Sequence, residues 1–259
     1  MLNSHSRIVF LMAIVLLAGC VTTERSVFTE KADKQKAHET STQLARQYIR
    51  KRNWDAAKRH LKNALEIDQD SAEVNEAMAM VLQNTGEYEM AETHYKKALR
   101  GDGNLSRVRL NYAAFLYNQN RYQEAADNLE TVVDDVLYER RDLAFESLGI
   151  CYMQLKKYAK AEAAFDRAYL MERDKPMLAF RLAEANYQLG HIDKAKTYYD
   201  RFRKSVKTQP PAGLLLGVRL ARKLGDKNAE SSYGLALKNL YPQSEEYRQY
   251  QQEFGNDAS

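Results

Sequence analysis

A small residue recurs along this chain at a nearly constant interval. Six alanines follow one another at spacings of 34, 34, 36, 34 and 34 residues: Ala57, Ala91, Ala125, Ala161, Ala195 and Ala229. Another small residue stands twelve positions before each of them: Ala45, Ala79, Ala113, Gly149, Ala183 and Gly217. Small residues at this spacing predict two helices that cross closely, because a small side chain at the crossing lets the backbones approach. The fixed period predicts that this helix pair is repeated along the chain.

The repeated pattern resembles the tetratricopeptide repeat, a helix–turn–helix unit of about 34 residues. Its clearest copy, EAMAMVLQNTGEYEMAETHYKKALRGD, runs from Glu76 to Asp102 and has Gly86 at the turn between the helices. The equivalent turn residues in the other repeats are Arg52, Asn120, Lys156, Gly190 and Leu224. The resemblance implies an all-α fold, a right-handed superhelical solenoid of six tetratricopeptide repeats followed by a C-terminal capping helix.

Four segments are expected along the chain. They are a lipoprotein signal peptide over residues 1–19, a lipidated tether over 20–36, the six repeats over 37–243, and a capping helix with its tail over 244–259. The predicted helices of the first two repeats are Ala37–Lys51, Trp54–Glu66, Ala72–Asn84 and Tyr88–Arg100, and the third repeat should begin near Leu105.

Insertions and helix starts can also be placed. The two additional residues of the longest interval are expected within Asp134–Arg141, because insertions in repeat proteins fall in the connections. Pro176 and the pair Pro210-Pro211 should open helices, where a missing N–H costs little. Ser244 should cap the last helix, Glu245–Glu253, which gives the array a polar lid.

The first twenty residues are typical of a bacterial lipoprotein leader. The apolar run Ile8–Leu17 follows the basic Arg7 and is too short to span a membrane. It ends in Leu-Ala-Gly-Cys, which resembles a lipobox in which the nucleophilic thiol of Cys20 is acylated. Val21 follows instead of the aspartate that retains Gram-negative lipoproteins in the inner membrane, so the resemblance implies an outer-membrane location facing the periplasm. The alternative is an ordinary cleaved signal in which Cys20 is incidental.

No catalytic or cofactor-binding constellation stands out in the sequence. His60 and His94 occupy equivalent places 34 residues apart, but no third ligand accompanies them, and they are expected at the surface. Cys151 lies in an apolar segment and is expected to be buried and inert. The net charge of +4 is too small to favour a nucleic-acid partner. We therefore expect a non-enzymatic protein with no metal, no cofactor and no small-molecule substrate.

In a solenoid of helix pairs, the first helices line a concave groove. At the N-terminal end of the array, the places that face it are polar: Glu39, Arg46, Arg50, Glu73 and Glu76. Towards the middle they are apolar or aromatic: Met80, Leu110, Tyr117, Leu143, Ile150, Met153, Met177, Phe180 and Tyr187. Adaptable methionine and aromatic side chains suit an amphipathic helix or strand of a protein partner. The alternative is that about half of these side chains pack against the second helices instead.

The lipobox, the short tether and the six repeats together resemble the outer-membrane lipoproteins of type IV pilus biogenesis, the PilF or PilW family of secretin pilotins. The matching stretches are NYAAFLYNQNRYQEA from Asn111, the long connection with Leu137 and Tyr138, LLLGVRLARKLGD from Leu214, and LYPQSEEY from Leu240. The resemblance implies an anchor in the outer membrane and secretin subunits as partners, whose localisation and multimer assembly the protein promotes. Two alternatives remain open. One is a lipoprotein scaffold of another envelope complex, such as outer-membrane protein insertion or cell-wall synthesis, and the other is a regulatory subunit that holds a periplasmic enzyme.

Overall fold

Thirteen α-helices make up the part of the chain that the computed structural model describes, residues 27–101 and 105–255. The predicted signal peptide, the lipidation site Cys20 and the last four residues of the tail lie outside these ranges. The helices are α1 Val27–Arg50, α2 Trp54–Ile67, α3 Ala72–Asn84, α4 Tyr88–Ala98, α5 Leu105–Asn118, α6 Tyr122–Asp134, α7 Arg141–Gln154, α8 Tyr158–Met171, α9 Pro176–Gln188, α10 Ile192–Ser205, α11 Pro211–Lys223, α12 Lys227–Leu240 and α13 Glu245–Phe254.

The first twelve helices form six pairs, in which the odd-numbered helix is the first helix of a repeat. Each first helix packs on the second helix of its own repeat, and each second helix packs on the next first helix. First helices also contact the first helix of a following repeat, as α1 does with α3, α5 with α7, and α9 with α11. The first helices therefore lie on the inner, concave side of the array. The predicted all-α solenoid of six repeats with a capping helix is confirmed.

The recurring small residues lie where the helices cross. Each of the first five alanines of the series, from Ala57 to Ala195, is fully buried. Gly149 shows how tight the crossings are, because a Cβ added there would overlap the ring of Phe165 on α8. The period read from the sequence is thus a packing requirement, since a larger side chain at these places cannot be accommodated without moving a helix.

Each repeat turns between its two helices on one residue in the left-handed backbone region. These residues are Arg52, Gly86, Asn120, Lys156, Gly190 and Gly225, with φ between +55° and +83°. Five of the six predicted turn positions are confirmed, and the sixth is wrong. Leu224 has a φ of −90° and ends α11, and Gly225 takes the left-handed conformation in its place. Glycine adopts this conformation without the steric cost that a Cβ imposes.

The sixth repeat is shifted by one residue from the 34-residue frame, because the connection before α11 has five residues, 206–210, against four before α9. In the fifth repeat, the backbone N–H of Ala195 donates to the carbonyl of His191 at 2.9 Å, which opens α10. In the sixth repeat the same bond is made by Glu230, to the carbonyl of Asp226 at 3.0 Å. Ala229 is only half-buried. Its place in the alanine series is therefore a coincidence of spacing, and the prediction that it lies at a helix crossing is wrong.

The first helix begins ten residues before its predicted start. Because α1 spans Val27–Arg50, the second half of the expected tether is helical. Lys34 pairs with Glu30 at 2.8 Å, and Gln35 donates to Glu39 at 3.0 Å. Pairs four residues apart stabilise an exposed helix, and this stretch contains no proline or glycine to end it. All side chains from Glu30 to Ala37 are exposed, so this part of α1 extends beyond the packed array.

The remaining predictions about helix ends are borne out closely. The connection after α6 has six residues, against four after α2 and after α8, so the insertion lies within Asp134–Arg141. Pro176 and Pro211 each occupy the first turn of their helix. The hydroxyl of Ser244 accepts from the backbone N–H of Tyr247 at 3.1 Å, as expected for the cap of α13. None of the helices described is both long and apolar enough to cross a bilayer.

Candidate partner-binding groove

The concave face is built from side chains that recur once per repeat on the first helices. One such row comprises Arg46, Met80, Ala114, Ile150, Glu184 and Arg219. It changes from charged to apolar along the array and returns to a charge in the fifth repeat. Three parts of the groove follow from this order: an N-terminal end formed by α1, α3 and α5, a middle formed by α5 and α7, and a C-terminal end formed by α9, α11 and α13.

The N-terminal end of the groove is closed by its own polar contacts. Arg46 on α1 forms an ion pair with Glu73 on α3. The carboxylate of Glu76 is almost completely buried, at 2% exposure, and it accepts from Arg107 at 2.6 Å and from Asn111 at 2.7 Å. Desolvation raises the pKa of the Glu76 carboxyl, and the charge of Arg107 opposes that shift. Each charged group here that is removed from water thus has a partner from the neighbouring repeat.

The middle of the groove contains an apolar cleft of about 160 Å³ between α5 and α7. Tyr117 and Ile150 border it, and the small side chains of Ala114 and Ser147 leave the space open. The ring of Tyr117 packs against Tyr122 with centroids 5.1 Å apart, which holds it at the edge of the cleft. The cleft therefore offers mainly apolar surface, with Asn118 and Ser147 as the polar side chains at its border.

Cys151 also borders this cleft, and its predicted burial is confirmed. The side chain is 2% exposed, and burial raises the pKa of its thiol to about 12. A thiol that remains protonated near neutral pH is a poor nucleophile. The contribution of Cys151 is therefore to packing.

The predicted groove residues divide into two groups. Six are half-buried and keep part of their surface in the groove: Met80, Tyr117, Leu143, Ile150, Met153 and Tyr187. Met177 is 42% exposed. Phe180 and Leu110 are buried, and the prediction that they stand free in the groove is wrong. Phe180 packs on Phe202 of α10 with ring centroids 5.2 Å apart, so it belongs to the core of the fifth repeat.

The C-terminal end of the groove encloses a cavity of about 180 Å³ between α9, α11 and α13. Phe180, Leu215 and Leu216 contribute its apolar lining, and Glu184 and Glu246 contribute carboxylates. The rest of the polar lining comes from Tyr187, Gln188, Arg219 and Gln249. The capping helix closes one side. It is attached through Arg219 of α11, whose Nε donates to Glu253 at 3.0 Å.

Sequence reasoning missed Glu184, although a signal was present. Glu184 follows Ile150 by 34 residues, so it occupies the same place as the apolar Met80 and Ile150. An acidic residue that follows three apolar residues at the same place indicates a local requirement for charge. In the structure Glu184 is half-buried, and desolvation raises the pKa of its carboxyl.

The two equivalent histidines serve the packing of the first two repeats. The ring of His60 stacks on Tyr48 with centroids 5.4 Å apart, and Nδ1 of His94 lies 2.8 Å from Oδ1 of Asn75. Both histidines are half-buried, so the expectation that they lie at the surface is wrong. Within residues 27–101 and 105–255, no group of three or more His, Cys, Asp or Glu side chains converges as a metal site requires.

Comparison with known proteins identifies the family of this chain. The profile of the tetratricopeptide repeat matches residues 42–106 and 116–177, and a related profile of the same repeat matches residues 178–206. The chain is 39% identical over 251 residues to the type IV pilus assembly protein PilF of Pseudomonas aeruginosa, a match that covers 96% of this chain and 98% of that protein. The chain belongs to the PilF family.

Solved structures agree with this assignment. A structure of Pseudomonas aeruginosa PilF superposes with a TM-score of 0.72 at 39% identity, and it covers 85% of this chain and 99% of that one. PilW, described as a widely conserved type IV pilus biogenesis factor, superposes with a TM-score of 0.69 at 25% identity and covers 82% and 97%. The solved PilF and PilW structures thus share the fold of the repeat array.

Proposed function

We propose that this protein is a non-enzymatic pilotin of type IV pilus biogenesis, an outer-membrane lipoprotein that faces the periplasm and promotes secretin localisation and multimer assembly. The observation that carries this proposal is the 39% identity to the type IV pilus assembly protein PilF along 96% of the chain. A match of that extent includes every repeat and the capping helix, so it applies to the whole binding surface rather than to the repeat motif alone.

The groove supports a function that depends on binding. Its middle presents half-buried apolar side chains around the cleft at Tyr117 and Ile150. An amphipathic helix or strand that covers this cleft removes its apolar surface from water, at about 25 cal/mol per Å². The ion-paired N-terminal end adds little such surface beyond Met80. We therefore assign the main contact with a secretin subunit to the middle and C-terminal parts of the groove.

Acylation of Cys20 would add a second contribution. Several acyl chains on one residue give stable anchoring that a single chain cannot provide. An anchored binding groove holds a bound subunit next to the outer membrane, which raises its effective concentration there. Localisation and assembly then follow from one binding event and one anchor, without a chemical step.

The direct test is deletion of the gene, followed by membrane fractionation and gel analysis of secretin multimers. We expect multimers to be lost from the outer membrane and to be restored by the wild-type gene. Cys20→Ser should give a folded protein that no longer fractionates with the outer membrane. Normal multimers in the deletion strain would refute the pilotin function, and an unmodified wild-type Cys20 by mass spectrometry would refute the anchor.

A second test addresses the groove. The double change of Tyr117→Ala and Ile150→Ala removes the apolar border of the cleft while leaving its buried neighbours in place. We expect reduced multimers at an unchanged protein level. Leu137→Ala is the matched control, because Leu137 is 88% exposed on the connection before α7 and does not border the cleft. A stronger effect from the control than from the double variant would place the contact outside the groove.

A further inference from the structure

The cavity at the C-terminal end of the groove contains a carboxylate without a partner. Glu184 lines the cavity and is half-buried, yet it forms no hydrogen bond or ion pair with any residue of the described ranges. Desolvation is the main influence on its pKa, which is raised, and the charges of Arg181 and Arg219 oppose the shift. A carboxylate that is partly removed from water without a donor is costly to the folded protein.

The two nearby cations do not satisfy this carboxylate. Arg219 is engaged by the capping helix, through Glu253 at 3.0 Å and Gln249 at 3.4 Å. Arg181 lies one turn before Glu184 on α9, and its Nε is buried without a hydrogen-bond partner within the described ranges. Neither arginine therefore donates a hydrogen bond to the carboxylate of Glu184.

Glu76 shows what a satisfied carboxylate on this face looks like. It lies on the same side of the array and is also desolvated, but Arg107 and Asn111 of the next repeat donate to both of its oxygens. The first helix of the next repeat, α11, lines this cavity with Leu215, Leu216 and Arg219, and Arg219 donates to Glu253 and Gln249 rather than to Glu184. The half-buried carboxylate of Glu184 thus has no donor from the described chain and is open to water or to a donor of a bound partner.

The dimensions and lining specify the donor. A volume of about 180 Å³ is some six times the roughly 30 Å³ that one water occupies in the liquid, which suits one long side chain and excludes a folded element. Phe180, Leu215 and Leu216 accommodate methylene groups, and the carboxylate of Glu184 accepts hydrogen bonds from a charged head. A guanidinium is less strongly hydrated than an ammonium and pairs with a carboxylate through two donors, so it is the better match to this site.

We propose that this cavity receives one arginine side chain of the protein segment that lies in the groove, and that Glu184 binds its guanidinium. The proposal rests on the proposed function only in naming that segment as part of a secretin subunit. It assigns a specific anchoring contact to the C-terminal end of the groove, adjacent to the apolar cleft in the middle.

The cavity can be tested without the partner. The probe is n-butylguanidinium, titrated into the protein while methyl resonances of Leu215 and Leu216 are followed by NMR, with neutral n-butylurea as the isosteric comparison. We expect saturable shifts with n-butylguanidinium and at least tenfold weaker binding of n-butylurea. Glu184→Gln should weaken n-butylguanidinium at least tenfold, and Glu172→Gln, an exposed carboxylate outside the cavity, should not. Absence of shifts, or equal binding by Glu184→Gln, would overturn the proposal.

The role of the cavity in partner binding needs a separate measurement. We expect Glu184→Gln to melt like the wild-type protein and to give at least a severalfold loss of secretin multimers in cells, whereas Glu172→Gln gives normal multimers. Normal multimers in Glu184→Gln would overturn the arginine contact even if n-butylguanidinium binds. Normal multimers in the deletion strain would instead refute the pilotin function, and the titration alone would then decide whether the cavity is a guanidinium site.

Discussion

The two ends of the groove use the same kind of residue in opposite ways. At the N-terminal end, Glu76 is buried and fully paired by the next repeat. At the C-terminal end, Glu184 is half-buried at a cavity with both polar and apolar lining, and it has no partner within the described ranges. A paired carboxylate contributes to the stability of the array, whereas an unpaired one weakens it and is retained for binding. The contrast separates a part of the groove that holds the repeats together from a part that is available to a partner.

The largest expected effect comes from Phe180→Glu at the C-terminal end. Phe180 is 6% exposed and packs on Phe202, so the change removes a core contact and buries a charge. Loss of a buried phenylalanine alone costs about 3–5 kcal/mol, and the charge adds to it. Urea unfolding should show a loss of at least about 4 kcal/mol. Wild-type stability of this variant would mean that Phe180 faces the open groove and is not part of the core.

A smaller effect is expected at the boundary between the two ends. Gly149→Ala introduces a Cβ that overlaps the ring of Phe165, and overpacking of this kind costs about 1–3 kcal/mol. Because each repeat contacts only its neighbours, a weakened fourth repeat should let the two ends unfold separately. Hydrogen exchange should then show faster exchange in α7 and α8 than in α3 or α11. Uniform acceleration along the whole chain would indicate that the two ends fold as one unit.

Glu76→Gln tests the paired carboxylate directly. The amide retains the shape of the side chain but loses the charge-assisted bonds from Arg107 and places an NH₂ group opposite a donor. We expect a loss of about 1–2 kcal/mol in the free energy of unfolding, measured by urea titration at neutral pH. The matched change Glu184→Gln should leave stability within about 0.5 kcal/mol of the wild-type value or raise it. Equal losses of unfolding free energy in Glu76→Gln and Glu184→Gln would show that the two carboxylates do not differ in their contribution to stability.

The smallest effect is a dependence on pH. The folded-state pKa of Glu184 is raised above its ordinary value of 4.5 by desolvation, so the folded protein binds this proton more tightly than the unfolded chain does. Its contribution is therefore complete below the unfolded pKa and is lost as the pH rises through the folded pKa. Glutamine does not titrate, so Glu184→Gln should gain stability relative to wild type between about pH 4 and pH 7. If the difference in unfolding free energy between Glu184→Gln and wild type stays constant or shrinks over this pH range, Glu184 is not desolvated.

The sequence predicted the repeats well because their signals are local. α3 begins and ends where predicted, since Ser71 caps its start and Gly86 forms the turn after it. The prediction for the sixth repeat was wrong because Ala229 keeps the 34-residue spacing, whereas the connection before α11 is one residue longer than the connection before α9. The left-handed Gly225 and the backbone hydrogen bond of Glu230 reveal the true frame. Spacing alone cannot detect an insertion when a small residue happens to lie one position away.

The groove was predicted less well because exposure depends on neighbouring repeats. Tyr117 and Phe180 are both aromatic residues of first helices, yet Tyr117 is half-buried beside the small Ala114, and Phe180 is covered by Phe202 of the following helix. A periodic pattern gives the face of a helix but not the size of what lies opposite. Glu184 was missed for the same reason. Its environment depends on the side chains that α11 and α13 place opposite it.

The early start of α1 places a helix, rather than a flexible linker, directly before the first repeat. Ten helical residues before the packed part of α1 span about 15 Å at 1.5 Å per residue. A flexible linker of the same length has a similar mean reach, about 17 Å, but points in every direction. A helix that continues directly into the first repeat therefore acts as a stiff stand-off. It keeps the first repeat about 15 Å from Val27 and in a fixed direction from it, so a bound subunit keeps a defined position relative to the start of α1.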